Sequence, residues 1–257
     1  MPSKIVLRCQ GGFCNRFRAI ASAVLWAEDI DARLEIYWPV EKGHMPAPLE
    51  HLIDPSSIGR LTYVRNGYIR AKQVLSVKDM EASIQASSYE VIIQSYSMFH
   101  DDLVKLTERG LAMLRKIQIV PSLTYMAEKA MPSGELIGLH IRRTDHVKCI
   151  EASPLEAFEE IVSKVLSLRS GHEGHEGYKG RFLLATDDSA VKERFRDLFG
   201  EAIVSPVVTL GRMTESQQEM GVVDWLLLQG CKKIYASAGS SFSELAAWRA
   251  GIELICV

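Results

Sequence analysis

Short apolar runs alternate with amphipathic stretches along the whole chain, and this pattern predicts an α/β protein. Over residues 4–38 an apolar run, a polar Gly turn, a stretch of helical composition and a second apolar run predict a β-α-β unit. Residues 39–55, rich in Pro and His, are predicted to be a loop. The predicted strands are residues 4–9, 34–38, 61–64, 91–94, 136–139, 182–185, 203–208, 233–236 and 253–257, and the predicted helices are residues 15–29, 101–117, 154–168, 189–199, 221–230 and 241–249.

A turn of Pro, Ser and Gly near residue 134 separates two such α/β series. A chain of 257 residues suits either one large α/β domain or two small ones. Because a new series of strands and helices begins after this turn, we predict two domains, residues 1–130 and residues 131–257.

Composition narrows the class of protein. Apolar residues make up 47% of the chain and charged residues 24%, which is typical of a globular protein. The net charge of −2 argues against broad nucleic-acid binding, which needs a basic face. The apolar runs are far shorter than a membrane span. The first residues show no secretory signal pattern, so we expect a cytoplasmic chain or a soluble catalytic fragment of a larger protein.

Metal-ligand patterns are weak in this sequence. The five cysteines include no C-x-x-C pair, so neither a zinc site nor a disulfide framework is predicted. The tandem HEGHEG at residues 172–177 has ligand-type side chains, but its Gly content favours a solvated loop over a metal site. We therefore predict no bound metal.

The most informative residues form a polar cluster directly after the apolar run 136–139. In open α/β sheets, ligands bind beyond the carboxyl ends of the strands. Two adjacent guanidinium groups there can hold a phosphate or diphosphate with charge-assisted hydrogen bonds. The alternative is an Arg–Asp pair that only caps a surface turn. The cluster comprises His140, Arg142, Arg143, Thr144 and Asp145.

The turn after the first predicted strand is a second candidate ligand site. Gly11 and Gly12 permit a tight turn and close approach of a ligand to the backbone, and the helix start behind them favours anions. Asn15 and Arg16 follow in the same turn. The turn has neither the G-x-G-x-x-G spacing nor a P-loop Lys, so an ordinary strand-to-helix connection is the alternative.

Four further carboxylates are candidate functional residues. Asp187 and Asp188 end the strand 182–185, where such a pair binds metal, binds sugar or base edges, or caps the next helix. Asp224 lies within an apolar helix and should have a partner, because burying it alone is costly. Glu151 can act as a general base or as an ordinary acid at a helix start.

A Gly-Ser-Ser turn precedes the last predicted helix. The hydroxyl groups of Ser240 and Ser241 and the free N–H groups of the helix start can bind a phosphate. A simple Ser N-cap is the alternative interpretation.

In combination, these motifs resemble those of α1,6-fucosyltransferases. The matching features are H-x-R-R-T-D at 140–145, A-T-D-D at 185–188, the apolar helix with Asp224, and S-S-F-S at 240–243, in the same order. The group includes the bacterial nodulation enzymes and the animal core fucosyltransferase, with protein O-fucosyltransferases as more distant relatives. The resemblance is dense over residues 136–250 and rests on the G-G-F-x-N-R turn in the N-terminal half.

The resemblance implies a GT-B-like fold, in which two Rossmann-like domains face each other across a cleft. Residues 1–130 would form the acceptor-side domain and residues 131–257 the nucleotide-sugar-binding domain. It also implies GDP-fucose as donor, a glycan hydroxyl as acceptor, and an inverting transfer that uses neither a metal nor a cofactor.

The resemblance also implies roles for individual residues. Arg142 would bind the diphosphate with help from Arg143, and His140 and Asp224 would lie at the guanine end. The remaining donor-side candidates are Asp187 or Asp188 near the nucleoside, Ser240 and Ser241 on the phosphates, and Gly11, Gly12, Asn15 and Asp145. The candidate catalytic residues are Glu151, Arg142 and Arg16.

An inverting transfer needs a base for the acceptor hydroxyl, and the family candidate is a Glu after R-R-T-D. Glu151 matches it with an offset of one residue, and His146 stands where the animal enzyme has Lys. Two further hypotheses stay open. One is a GT-B transferase for another nucleotide sugar, and the other is a nucleotide-sugar-binding protein without catalysis.

Overall fold

The computed structural model of the chain describes residues 3–59, 62–65, 90–143, 147–167, 180–207, 211 and 213–257. Its contacts divide the chain into two compact units. The first comprises Met1–Leu123 and Arg212–Glu219, and the second comprises Thr124–Gly211 and Met220–Val257. The chain therefore re-enters the first unit late in the sequence, and a single domain boundary after residue 130 stays a prediction.

The first unit contains a parallel sheet of strand order β3-β2-β1-β4. Helix α1 (Phe13–Asp29) connects the first two strands, and 13 of its 17 residues are buried, which suits a helix that covers a sheet. The strand order reverses between β1 and β4, and this reversal is where open α/β sheets bind ligands. The strands are β1 (Lys4–Cys9), β2 (Arg33–Tyr37), β3 (Thr62–Arg65) and β4 (Glu90–Ser95).

The predicted helix 101–117 is wrong, because the structure has two helices there, α2 (Asp101–Val104) and α3 (Glu108–Lys116). Leu106 adopts a positive φ of 50°, which ends the first helix. The hydroxyl of Thr107 then accepts the N–H of Gly110 at 3.2 Å and begins the second. Helix α4 (Pro121–Ala130) follows, and the predicted loop 39–55 contains a 3₁₀ turn at Leu49–His51.

The second unit contains a parallel sheet of strand order β7-β6-β5-β8-β9. This is the order of a Rossmann-type sheet, with the reversal between β5 and β8. Every residue of β5 is buried, as expected for a central strand. The strands are β5 (Leu136–Ile141), β6 (Arg181–Thr186), β7 (Ile203–Val204), β8 (Lys233–Ala236) and β9 (Glu253–Cys256).

Among the described residues, six helices belong wholly or partly to this unit: α4 from Thr124 onward, α5 (Val147–Ala152), α6 (Leu155–Ser167), α7 (Ser189–Phe199), α8 (Glu215–Gln229) and α9 (Ser241–Ala250). The sequence pattern did not predict α5. Helix α8 begins six positions before its predicted start, because its first turns are polar and were not recognised as part of the apolar helix. Leu139, Phe158, Phe182 and Phe195 form part of the core between β5, β6, α6 and α7.

The predicted α/β class is confirmed, and both sheets are parallel. Within the part of the chain that the structure describes, no helix combines the length and the apolar composition needed to cross a bilayer.

Candidate functional site

Three strands of the second unit end at the same edge of the sheet. In the parallel register His140 pairs with Ala185 of β6 and with Ala236 of β8. The residues that follow these strands therefore lie together, although the strand ends, Ile141, Thr186 and Ala236, span almost a hundred positions of the sequence. The edge includes the reversal of strand order between β5 and β8, which is the expected ligand position.

His140 is held in one orientation at this edge. Its ring stacks on Phe242 with a centroid distance of 4.9 Å, and its Nδ1 lies 3.1 Å from the hydroxyl of Ser243. The single hydroxyl hydrogen of Ser243 is donated to the carbonyl of Ser240 at 3.2 Å. Ser243 therefore links the His140 ring to the backbone at the start of α9.

Arg142 joins the ends of β5 and β8 through its backbone. Its N–H donates to the hydroxyl of Ser237 at 3.1 Å, and the N–H of Ser237 donates to the carbonyl of His140 at 2.9 Å. Arg142 itself is half-buried. The backbone that presents this predicted diphosphate ligand is thus fixed by the neighbouring strand.

Arg143 has a different environment. Its backbone N–H donates to the Asp187 carboxylate at 2.8 Å, and its guanidinium donates to the carbonyls of Ser153 at 2.7 Å and Ile150 at 3.4 Å. Burial lowers the pKa of this guanidinium, while the carboxylates of Glu156 and Asp187 oppose the shift. The side chain that was expected to assist Arg142 is bound to backbone carbonyls and fastens α5 to the end of β5.

The two carboxylates after β6 have separate functions in the structure. Asp187 accepts the N–H of Arg143, as above. Asp188 is the N-cap of α7 and accepts the N–H of Ala190 at 2.8 Å, which agrees with the capping interpretation.

The turn before α9 presents one of the two predicted serines to solvent. Gly239 has a φ of 69°, a conformation that favours glycine, and it turns the chain into the helix. Ser240 is fully buried, and its hydroxyl has no hydrogen-bond partner among the residues that the structure describes. Ser241 is partly exposed at the first helical position. The N–H of Ala238 donates to the Ser153 hydroxyl at 2.8 Å, which fixes the turn.

Asp224 is buried in α8, with 6% of its surface exposed. Burial raises its pKa to about 7, and the positive charge of Lys192 on α7 opposes this shift. Lys192 is also buried, and it donates to the carbonyl of Val207. The structure therefore relates Asp224 to Lys192 electrostatically, and a position at the guanine end beside His140 stays a prediction.

Glu151 lies on α5 and is exposed, next to Ile150, whose carbonyl binds Arg143. The predicted base is therefore one residue away from a contact of Arg143, and its catalytic role stays a prediction. Asp145 and the HEGHEG segment at 172–177 lie outside the described residues.

The first unit has its own turn at the end of β1. Gly11 has a φ of 74°, and a Cβ at this position would lie 2.8 Å from the Asn15 side-chain nitrogen. Arg16 is fully buried, with its Nε donating to the carbonyl of Gly11 at 2.7 Å and a terminal nitrogen donating to Pro39 at 2.6 Å. Its guanidinium also lies 4.7 Å from the centre of the Trp38 ring. These contacts position the turn, and a catalytic role for Arg16 stays a prediction.

Gly12 and Asn15 complete this turn. Gly12 is the N-cap of α1 with extended backbone, and it makes no side-chain cap. The side-chain oxygen of Asn15 is buried without a hydrogen-bond partner among the described residues. Both residues follow β1, the strand beside the reversal of the first sheet, and a donor-binding role for them stays a prediction.

Sequence reasoning missed several residues that organise the second-unit edge. Ser153 and Ser237 accept backbone N–H groups across the edge, and Lys192 is the charge opposite Asp224. The predicted need for a partner of Asp224 was the one available signal, but it did not identify Lys192. Small hydroxyl residues in turns are too common to stand out in a single sequence.

Solved structures of fucosyltransferases share this fold. The fucosyltransferase NodZ from Bradyrhizobium matches with a TM-score of 0.65 at 14% identity, over 96% of this chain and 92% of that one. A variant of Arabidopsis thaliana FUT1 in complex with GDP matches with a TM-score of 0.66 at 12% identity, over 100% and 70%. POFUT1 in complex with GDP matches with a TM-score of 0.62 at 9% identity, over 100% and 99%. NodZ α1,6-fucosyltransferase has also been soaked with GDP-fucose.

No protein-family model matches the chain, and no curated protein matches its sequence. The resemblance to GDP-fucose-dependent fucosyltransferases that the motifs predicted is confirmed for the fold.

Proposed function

We propose that the protein is an inverting, metal-independent fucosyltransferase that moves fucose from GDP-fucose to a glycan hydroxyl. The observation that supports this most directly is the convergence of the H-x-R-R, D-D and S-S-F-S motifs at one sheet edge, in a chain with the fold of NodZ, FUT1 and POFUT1. In this proposal the two units face each other across a cleft, as in a GT-B enzyme.

The diphosphate is assigned to Arg142 and the start of α9. The backbone of Arg142 is fixed by Ser237, so binding of an anion has to order only the side chain. The first N–H groups of a helix bind phosphates, and the helix dipole favours negative charge there. Of the two predicted serines, Ser241 is the one with access to solvent.

The guanine base is assigned to the His140 side of the edge. The Watson–Crick edge of guanine carries N–H donors, and the imidazole of His140 supplies a polar ring at this position. A base at this position would also lie near Phe242, which already stacks on the His140 ring.

Transfer of fucose needs two kinds of assistance, stabilisation of the leaving group and removal of a proton from the acceptor. As the bond to fucose breaks, negative charge develops on GDP, and Arg142 with the N–H groups of α9 stabilises it without a metal. A base accepts the proton of the acceptor hydroxyl, and Glu151 is our candidate because it is exposed and follows R-R-T-D.

The test is a panel of GDP- and UDP-sugars in EDTA, with binding and nucleotide release measured with and without candidate glycans. We expect selective GDP binding and fucose transfer that persists in EDTA. Lack of selectivity for GDP would contradict the assignment of GDP-fucose as donor. Selective GDP binding with transfer from a different GDP-sugar would favour a GT-B transferase for another nucleotide sugar. GDP-fucose binding without transfer or hydrolysis would favour a nucleotide-sugar-binding protein.

The Arg142→Ala variant tests the site itself. Loss of a charge-assisted contact of about 1.5–3 kcal/mol should weaken GDP binding by roughly 10- to 100-fold. Arg181→Ala is the matched control, because Arg181 begins β6 and bonds to the Ser133 carbonyl. Equal GDP affinity in the two variants would show that Arg142 has no role in binding.

A further inference from the structure

Three metal-ligand side chains meet in the first unit, outside the proposed donor site. They are His51 at the end of the 3₁₀ turn and Glu215 and Glu219 on the first turns of α8. One ligand atom from each lies within 4.8 Å of the other two. The Nδ1 of His51 contacts the Glu215 carboxylate.

The helix start that presents the two carboxylates is rigidly defined. Thr214 and Gln217 form a capping box, in which the Thr214 hydroxyl accepts the N–H of Gln217 at 3.2 Å and the Gln217 side chain accepts the N–H of Thr214 at 3.1 Å. Gln218 donates to the carbonyl of His44 at 3.2 Å. These bonds hold the helix start against the segment that precedes His51.

Spacing and chemistry both suit a metal ion. Glu215 and Glu219 are one turn apart on a single helix face, where two like charges repel each other unless a cation lies between them. Zinc binds His nitrogen and carboxylate oxygen at about 2.0–2.2 Å, so two of its ligand atoms lie up to about 4 Å apart. The ligand atoms of the three side chains lie within 4.8 Å of one another. The side chains of His51 and Glu215 are 47% and 43% exposed, so small rotations can bring these atoms to the spacing that zinc needs.

We propose that His51, Glu215 and Glu219 bind a divalent transition-metal ion, with Zn²⁺ as its representative. A neutral imidazole and two carboxylates balance the charge of the ion, and water completes its coordination. The ion joins the 3₁₀ turn to the start of α8 and stabilises the fold of the first unit. It has no part in fucose transfer, so the proposed function and this site can fail independently.

The experiment is titration of the reduced, EDTA-stripped protein with Zn²⁺ alone, against a chromophoric chelator, followed by thermal unfolding with and without Zn²⁺. Cysteines and other histidines can also bind zinc, so the measured quantity is the difference between variants. Removal of one of three ligands should lower the affinity of one zinc equivalent by at least about 10-fold, the size found even for outer-shell partners.

Glu219→Gln and His51→Gln are the test variants, and Glu108→Gln and His44→Gln are their matched controls. Glu108 is exposed in the first turn of α3, and His44 is exposed outside the three-ligand cluster. We expect both test variants to lose one zinc equivalent and the zinc-dependent rise in melting temperature, while both controls keep them.

Circular dichroism of each variant without metal confirms that it is folded. Because two separate positions are tested, the proposal remains testable if one of the two variants does not fold. The proposal is overturned if the unaltered protein and both test variants bind the same number of zinc ions with the same affinities. It is also overturned if Zn²⁺ leaves the melting temperature of the unaltered protein unchanged.

Discussion

Replacement of Asp224 by Asn should change how the stability of the protein depends on pH. Burial raises the pKa of Asp224 from 3.8 to about 7. Between these values the folded state keeps a proton that the unfolded state has released, so the free energy of unfolding falls as pH rises through this window. Above pH 7 the loss is complete.

The size of the effect follows from the shift. Each pKa unit corresponds to about 1.4 kcal/mol, so between pH 5 and pH 8 this single carboxyl should remove about 3 kcal/mol from the free energy of unfolding. Asn has nearly the same shape and does not ionise, so in Asp224→Asn the free energy of unfolding should no longer fall with pH through this carboxyl.

The assay is urea unfolding at several pH values from 5 to 8, followed by tryptophan fluorescence. Trp225, fully buried beside Asp224, is a suitable local reporter. Asp197→Asn is the control, because Asp197 is exposed on α7 and should leave the slope of the unaltered protein in place. Parallel pH dependence in the unaltered protein and in Asp224→Asn would refute the argument.

Three further predictions concern the turns. Arg143→Ala removes charge-assisted bonds to two carbonyls and should lower the free energy of unfolding by about 2–3 kcal/mol, measured with urea. Gly11→Ala should cost about 1–2 kcal/mol because its φ is positive, whereas Gly12→Ala, with a φ of −76°, should have only the smaller cost of Ala at an N-cap, about 0.5 kcal/mol. Equal costs at the two glycines would contradict this. Thr107→Ala should cost about 1 kcal/mol through loss of the α3 cap, seen as a lower melting temperature.

The strands and the strand-end clusters were predictable because their signals are local. A buried parallel strand such as β5 is a continuous apolar run, and the polar residues after it stand out against that run. The order of the motifs then indicated the fold through resemblance.

Other features depend on contacts between distant residues and have no local signal. The partner of Asp224 is Lys192, more than thirty positions earlier, and one of the two carbonyls that bind Arg143 belongs to a helix that the pattern did not predict. The break between α2 and α3 depends on the backbone of Leu106, a residue that favours helices. For these, tertiary structure overrides local preference.

The bonds of the Arg143 guanidinium to Ile150 and Ser153 have a consequence for sequence change. They join the end of β5 to the last turn of α5 and to the residue that follows it, so the position of α5 depends on one side chain and two backbone carbonyls. A backbone carbonyl is present whatever side chain its residue carries, so substitution of Ile150 should leave its acceptor for Arg143 in place. The chain can thus alter the residues next to its candidate base without rebuilding the edge that holds the nucleotide in our proposal.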